Sequence, residues 1–311
     1  SNLIFSNGAF GVVPNDESSL SLHDNARTRF GFRGSEDLGN GMTAGYRMEY
    51  DIDGSNEDVG VSNRLSWVSL SGDFGTLKVG TQWGTVYNYL GWNVYRTDSH
   101  GGAAYYWITR NLADDPYALR VPDTISYTFG AGPYGSDPFT FTVAARSNTD
   151  GSGDIANIDN VTLAGQAAFG DVRVQALHYS EMNDVATGPD PAEPSMTGLG
   201  ARWSSGPLYV GGVYMTLDPD VSGAPEPSLI NVLAGYDFGG GVSGYAGVGS
   251  GDADTSGGVG DMSSFFLQAQ RELSSRTKIF GEFETATLDS AGAGGNDAED
   301  SVLSVGVKHS F

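Results

Sequence analysis

Ser301-Val-Leu-Ser-Val-Gly-Val-Lys-His-Ser-Phe311 alternates without interruption. Successive side chains of an extended chain point to opposite sides, so Leu303, Val305, Val307, His309 and Phe311 share one face. Ser304, Gly306, Lys308 and Ser310 share the other. The same period of two sets Thr28/Phe30/Phe32 against Arg27/Arg29/Arg33, and Met42/Ala44/Tyr46/Met48/Tyr50 against Thr43/Gly45/Arg47/Glu49. It returns in Phe139/Phe141/Val143/Ala145 against Thr140/Thr142/Arg146, and in Ile230/Val232/Ala234/Tyr236 against Asn231/Gly235/Asp237. Helical periodicity is rare, so the chain reads as all-β.

Cutting at glycine-rich and polar turn signals gives about sixteen strands. Their connections alternate strictly in length. Short ones fall at 34–41, 71–75, 130–137, 170–171, 204–207, 239–241 and 272–276, and long ones at 14–24, 51–62, 84–121, 147–159, 181–195, 217–228, 250–260 and 288–300. An up-and-down barrel has this rhythm when one rim faces a confined compartment and the other an open one.

Which face meets water decides the setting. The polar faces carry Arg27, Arg29, Arg33, Arg47, Arg64, Arg146, Arg173 and Arg202. Burying these dry would be prohibitive. With the apolar faces turned to lipid and the charged faces lining water, every group is satisfied. A strand protein in a bilayer must then close on itself to pair its backbone.

Composition agrees. The 311 residues contain 46 glycines, about twice the usual share, and hydrophobic residues make up 39%. No apolar run approaches the length of a membrane-spanning helix. No secretory signal stands at Ser1, as expected of a mature exported chain or of a cytosolic one. Without cysteine there are no disulfides, thiolate metal sites or cysteine nucleophiles. The net charge of −22 argues against a nucleic-acid partner. Most acidic residues sit in the long connections and most basic ones on strands or short turns, which puts a cationic wall beneath an acidic mouth.

Three features carry a resemblance. Arg29-Phe-Gly-Phe-Arg-Gly-Ser-Glu-Asp-Leu-Gly-Asn-Gly41 resembles the second strand and following turn of Gram-negative general diffusion porins. Trp67-Val-Ser-Leu-Ser-Gly-Asp-Phe-Gly-Thr-Leu-Lys-Val-Gly-Thr-Gln82 resembles their fourth and fifth strands, and the terminal Phe311 their assembly signal. The resemblance implies one domain over residues 1–311. It would be a 16-stranded antiparallel transmembrane β-barrel, usually trimeric, water-filled and set in the outer membrane of a Gram-negative bacterium. A long third loop, 84–121, folds inward to narrow it. The resemblance also places Asp98, Asp114 and Asp115 of that loop opposite a basic wall of Arg27, Arg29, Arg47 and Arg64. Opposed charge rows across a narrow aqueous gap impose a transverse field.

Two departures stand out. Family members commonly carry arginine after the glycine that ends the fifth strand, where this chain has Gly80-Thr81-Gln82. A carboxylate often precedes the Gly-Gly of their constricting loop, where this chain has Ser99-His100-Gly101-Gly102.

The function expected is passive diffusion of small hydrophilic solutes and ions, without chemistry or cofactor. Expected partners are outer-membrane lipid, lipopolysaccharide and two further copies of the chain. The acidic mouth suggests a weak cation preference, which the arginine wall opposes. A substrate-selective outer-membrane channel is the nearest alternative, and an aromatic strip along one wall would favour it. A calcium-dependent secreted or surface β-protein is the alternative of another class, suggested by Gly249-Ser-Gly-Asp-Ala-Asp254, though no nonapeptide period accompanies it. Divalent cations bridging the acidic external loops are the one ligand to consider. The four histidines show no metal-ligand spacing. An enzyme is not expected, since His178 and Ser180 form the only near pair and share one strand face. Trp67, Trp83 and Trp203 suit aromatic girdles at the membrane interfaces.

Overall fold

The computed structural model describes residues 2–7, 18–23, 28–53, 60–96, 102–109, 119–147, 158–182, 193–253, 260–289 and 298–310. Among them seventeen strands form one sheet. The first six are β1 (Asn2–Asn7), β2 (Ser18–His23), β3 (Arg29–Gly39), β4 (Met42–Asp53), β5 (Gly60–Gly72) and β6 (Gly75–Trp83). After a long connection come β7 (Arg120–Phe129), β8 (Phe139–Ser147), β9 (Ile158–Phe169), β10 (Val172–Glu181), β11 (Ser195–Ser205) and β12 (Leu208–Asp218). The last are β13 (Ser228–Gly239), β14 (Val242–Asp252), β15 (Met262–Ser274), β16 (Thr277–Leu288) and β17 (Ala298–His309).

Every pairing is antiparallel. From β3 to β17 each strand pairs with the next in sequence. β17 pairs with β1, with Leu3 opposite Val305, and β1 pairs with β2, with Leu3 opposite Leu22. The expected short connections are short, as at Asn40–Gly41, where both residues take the positive φ that a tight hairpin requires. One expectation fails here. Residues 14–24 read as a connection, yet Ser18–His23 is a strand, its alternation too brief and serine-rich to stand out.

The two faces of the sheet differ as the alternation predicts. Phe30, Phe32, Met48, Val68, Val79, Ile125, Leu163, Leu199, Ile230, Leu267, Leu303, Val305 and Val307 are exposed on one side, Phe32 to 62%. On the other, Arg64, Gln82, Thr142, Gln166, Gln175, Gln268, Glu282, Glu284 and Ser304 are buried, Ser304 completely. A water-soluble β-sheet protein would invert this arrangement.

Candidate functional site: an arginine wall facing an aromatic connection

Arg47 and Glu49 follow one another on the polar face of β4, and Arg64 reaches them by a break in register. Glu49 pairs with Leu65 and Tyr50 with Asn63, which leaves Arg64 as the extra residue of a β-bulge in β5. Arg64 and Leu65 are therefore both buried in succession. The Arg64 Nε donates to Glu49 Oε1 at 2.7 Å, and its Nη1 lies 3.1 Å from Asp51 Oδ1. Arg47 Nη2 donates to Glu49 Oε2 at 2.5 Å. The Nε of Arg29 lies 3.9 Å from Glu49 Oε1. Arg120, at the start of β7, donates from Nη1 to Asp51 Oδ2 at 3.3 Å. Both Arg64 and Arg120 also sit over the Trp83 ring, at 5.6 and 5.8 Å from its centroid.

Four guanidiniums thus share two carboxylates. The buried Arg64 is held by charge-assisted bonds that offset its desolvation. Arg29, Arg47 and Arg120 keep 39%, 32% and 28% of their side-chain surface open. The wall carries two positive charges more than it neutralises, and the more exposed cations carry them toward water.

The connection between β6 and β7 supplies the opposing elements. It holds a π-helical turn Tyr87–Gly91, a short helix Trp92–Val94 and a seven-residue helix Ala103–Thr109. These pack on the polar side of the sheet, against β9 to β15. Small residues make the seat: a Cβ on Gly198 would come within 2.2 Å of Leu90, and one on Gly249 within 2.3 Å of Ala104. Asn93 Nδ2 donates to Gln175 Oε1 at 3.1 Å, and the Tyr209 hydroxyl donates to the Asn93 carbonyl at 2.7 Å. Glu284 accepts from the Ala103 N–H at 3.0 Å, at the first turn of the helix. The turn after β7 folds in beneath, where the Tyr134 hydroxyl donates to Asn88 Oδ1 and Arg202 donates to the Pro133 carbonyl.

Under this seat the inner wall is not polar, contrary to the sequence expectation. Tyr179, Met196, Met215, Leu217, Leu229 and Leu233 are buried there against Leu90, Val94, Tyr105 and Ile108. In Leu229-Ile-Asn-Val-Leu233, Ile230 and Val232 are exposed outward, and the inward leucines flank Asn231, whose polarity marked this face as a polar one. By contrast β3 is exposed on both faces along almost its whole length. Among the described residues, the helices of the connection contact β9 to β15, while Arg29 and Arg47 on β3 and β4 stay partly open.

Of the sequence-predicted basic residues, Arg29, Arg47 and Arg64 come together, while Arg27 lies outside the described residues, as do Asp98, Asp114 and Asp115. Glu49, Asp51 and Arg120 were missed as members. Glu49 was legible from its parity with Arg47, whereas Asp51 and Arg120 read as loop residues because strands β4 and β7 run further than their alternation suggests. On the same strand Gln82 is buried on the polar face, where it donates to the Thr124 carbonyl and accepts from Ser126. Its neighbour Gly80 has φ +118°, and a Cβ there would meet the Ser66 carbonyl at 2.2 Å. Of the three tryptophans expected in a girdle, Trp203 is exposed. The expectation fails for Trp67, whose ring takes the Lys78 ammonium at 4.8 Å, and for Trp83, which stacks on Tyr87. Both lie on the polar face of the sheet, where Lys78 sits over the Trp67 ring and Arg64 and Arg120 over that of Trp83.

Known proteins share this architecture. The anion-selective porin from Comamonas acidovorans superposes with a TM-score of 0.77 at 21% identity, covering 100% of this chain and 96% of that one. Salmonella typhi OmpF gives a TM-score of 0.72 at 13% identity over 99% and 95%. In sequence, the major outer membrane protein P.IB of Neisseria meningitidis is 39% identical over 70 residues, 22% of this chain and 21% of that protein. Outer membrane porin protein 32 of Delftia acidovorans is 46% identical over 55 residues, 17% and 16% respectively. The matched segments thus span about a fifth of the curated relatives. The model of Gram-negative porins matches residues 7–311, and the chain belongs to that family.

Proposed function

We propose that the chain forms a water-filled channel in the outer membrane, through which small hydrophilic solutes and ions diffuse passively. The carrying observation is the two-sided sheet, with large apolar side chains exposed on one face and arginines and carboxylates gathered on the other. The pairing of β17 with β1 and of β1 with β2 supports closure into a barrel. Counting β2 and β3 as two halves of one strand gives sixteen, in one domain. The 84–119 connection is then the constricting element, lying inside and narrowing the lumen against the arginine wall, with Asp98, Asp114 and Asp115 as its acidic members. The family is one of channels rather than enzymes, and a homotrimer in contact with lipopolysaccharide, its acidic loops bridged by divalent cations, belongs to the same proposal.

The two excess positive charges of the wall outnumber the one excess negative charge of the 84–119 connection, so the narrowest point, which sets resistance and selection, favours anions. This reverses the weak cation preference expected from the acidic mouth, where the passage is wide and water screens the charges. A structural relative is itself described as anion-selective. Reconstitution in planar bilayers is expected to give stepwise conductance in groups of three. A potassium chloride gradient should give a reversal potential with the sign of chloride preference. Folded protein that leaves bilayers silent would contradict the channel, and a potassium preference would contradict the assignment of the wall.

A further inference from the structure

The side of the connection that looks toward the arginines is aromatic. Trp83 stacks on Tyr87 at 5.1 Å between centroids, Tyr87 meets Tyr95 edge-on at 6.2 Å, and Tyr95 meets Tyr106 at 5.6 Å. Two glycines allow the rings to approach. A Cβ on Gly102 would come within 2.7 Å of the Tyr106 ring and 3.2 Å of Tyr95, and one on Gly91 within 2.8 Å of Tyr87. Tyr87 is buried and serves as the base, whereas Trp83, Tyr95 and Tyr106 stay partly open. At one end the strip joins the wall through Trp83, under Arg64 and Arg120. Arg120 is also within electrostatic reach of Tyr106.

A ring ladder and a row of partly exposed guanidiniums therefore meet at one point of the passage. Ring edges and faces there offer stacking to a planar π-system, and the guanidinium fork offers paired donors to a carboxylate. Neither part alone selects between solutes of one charge: chloride needs only the cations, and a neutral aromatic needs only the rings. A solute carrying both groups a few ångströms apart engages both.

We propose that this junction is a subsite for planar aromatic carboxylates, formed by Tyr95 and Tyr106 for the ring and by Arg120 for the carboxylate. The proposal rests on the channel reading and names the solute class the passage selects. Such solutes bind briefly during transit, slowing chloride while they occupy the site and gaining entry over non-aromatic acids of equal size.

The test uses the full chain in planar bilayers, with benzoate and cyclohexanecarboxylate added to a chloride electrolyte. The two share charge and bulk and differ in the planar π-face. Benzoate is expected to reduce chloride current at about three- to tenfold lower concentration than cyclohexanecarboxylate, the range that one aromatic contact supplies. Tyr95→Leu with Tyr106→Leu should bring the two half-inhibition concentrations together, while Arg120→Gln should raise both. Equal potency in the natural chain overturns the subsite while leaving the conductance, and so the channel, intact. A benzoate advantage that survives the double tyrosine replacement also overturns it, by moving the ring contact elsewhere. Absence of conductance in electrolyte alone would instead remove the channel on which the subsite depends.

Discussion

Replacing Arg29 and Arg47 together by glutamine is expected to shift the chloride-to-potassium permeability ratio toward potassium by about five- to tenfold at low salt. These two are the most open of the four guanidiniums. Once they are removed, Arg64 and Arg120 remain against Glu49 and Asp51, so the wall falls from two excess positive charges to none. In water, a unit charge about 6 Å from a passing ion contributes roughly 0.7 kcal/mol before screening, and two such charges act on anion and cation in opposite senses. Screening cuts this at high ionic strength, so the shift should shrink as salt rises. Arg64 is left in place deliberately. It is buried between two carboxylates, and its loss would strand Glu49 and Asp51 with half their partners. Lysine at both positions should keep most of the natural ratio, because it preserves charge while losing the forked geometry. The reversal potential in a salt gradient reads the result directly. An unchanged ratio would move the selecting segment away from this wall.

The second large effect concerns the other face. An arginine in place of Val305 or Phe32 should destabilise the folded protein in lipid bilayers by about 2–4 kcal/mol, the cost of a cation near the bilayer midplane. Both residues are well exposed on the apolar face of the sheet. Arg33→Gln, one position along β3 from Phe32 and on the opposite face, should cost less than about 1 kcal/mol, since its side chain meets water on either account of charge. Equilibrium unfolding in urea from lipid vesicles measures the three variants side by side. Equal losses at residues 32 and 33 would mean that the two faces of β3 see the same medium.

Much of this was legible in the sequence, and the parts that were not share a physical cause. Period-two alternation reports which way a side chain points only where one face is apolar and the other polar. It therefore reads β17, β3 and β4 correctly, down to the arginines that gather on the inner side. It cannot report a bulge, because one inserted residue reverses parity beyond it. Arg64 reaches Glu49 for that reason, and only the register of β4 against β5 reveals it. Nor does it anticipate apolar residues on a face that also carries polar ones, so Leu229 and Leu233, flanking Asn231, gave no hint of the seat they form for the connection. Long-range pairing is equally silent. Nothing local in Asp51 or Arg120 announces that residues 69 positions apart will share a hydrogen bond. The aromatic ladder was not visible: Tyr87, Tyr95, Tyr105 and Tyr106 fall in one connection, but their stacking depends on how that connection folds back on itself.

All of these inferences depend on polar side chains lining water and apolar ones meeting lipid. The chain has no cysteine, so single introduced thiols report on their own positions without background. Cysteine placed in turn at residues 32, 33, 47 and 48 samples both faces of the β3–β4 pair, where Phe32 lies opposite Met48 and Arg33 opposite Arg47. In conducting channels, a charged, membrane-impermeant thiol reagent should react at 33 and 47 and change the current, and leave 32 and 48 untouched. Reaction and current change at 32 and 48, with 33 and 47 inert, would turn the protein inside out and contradict the account.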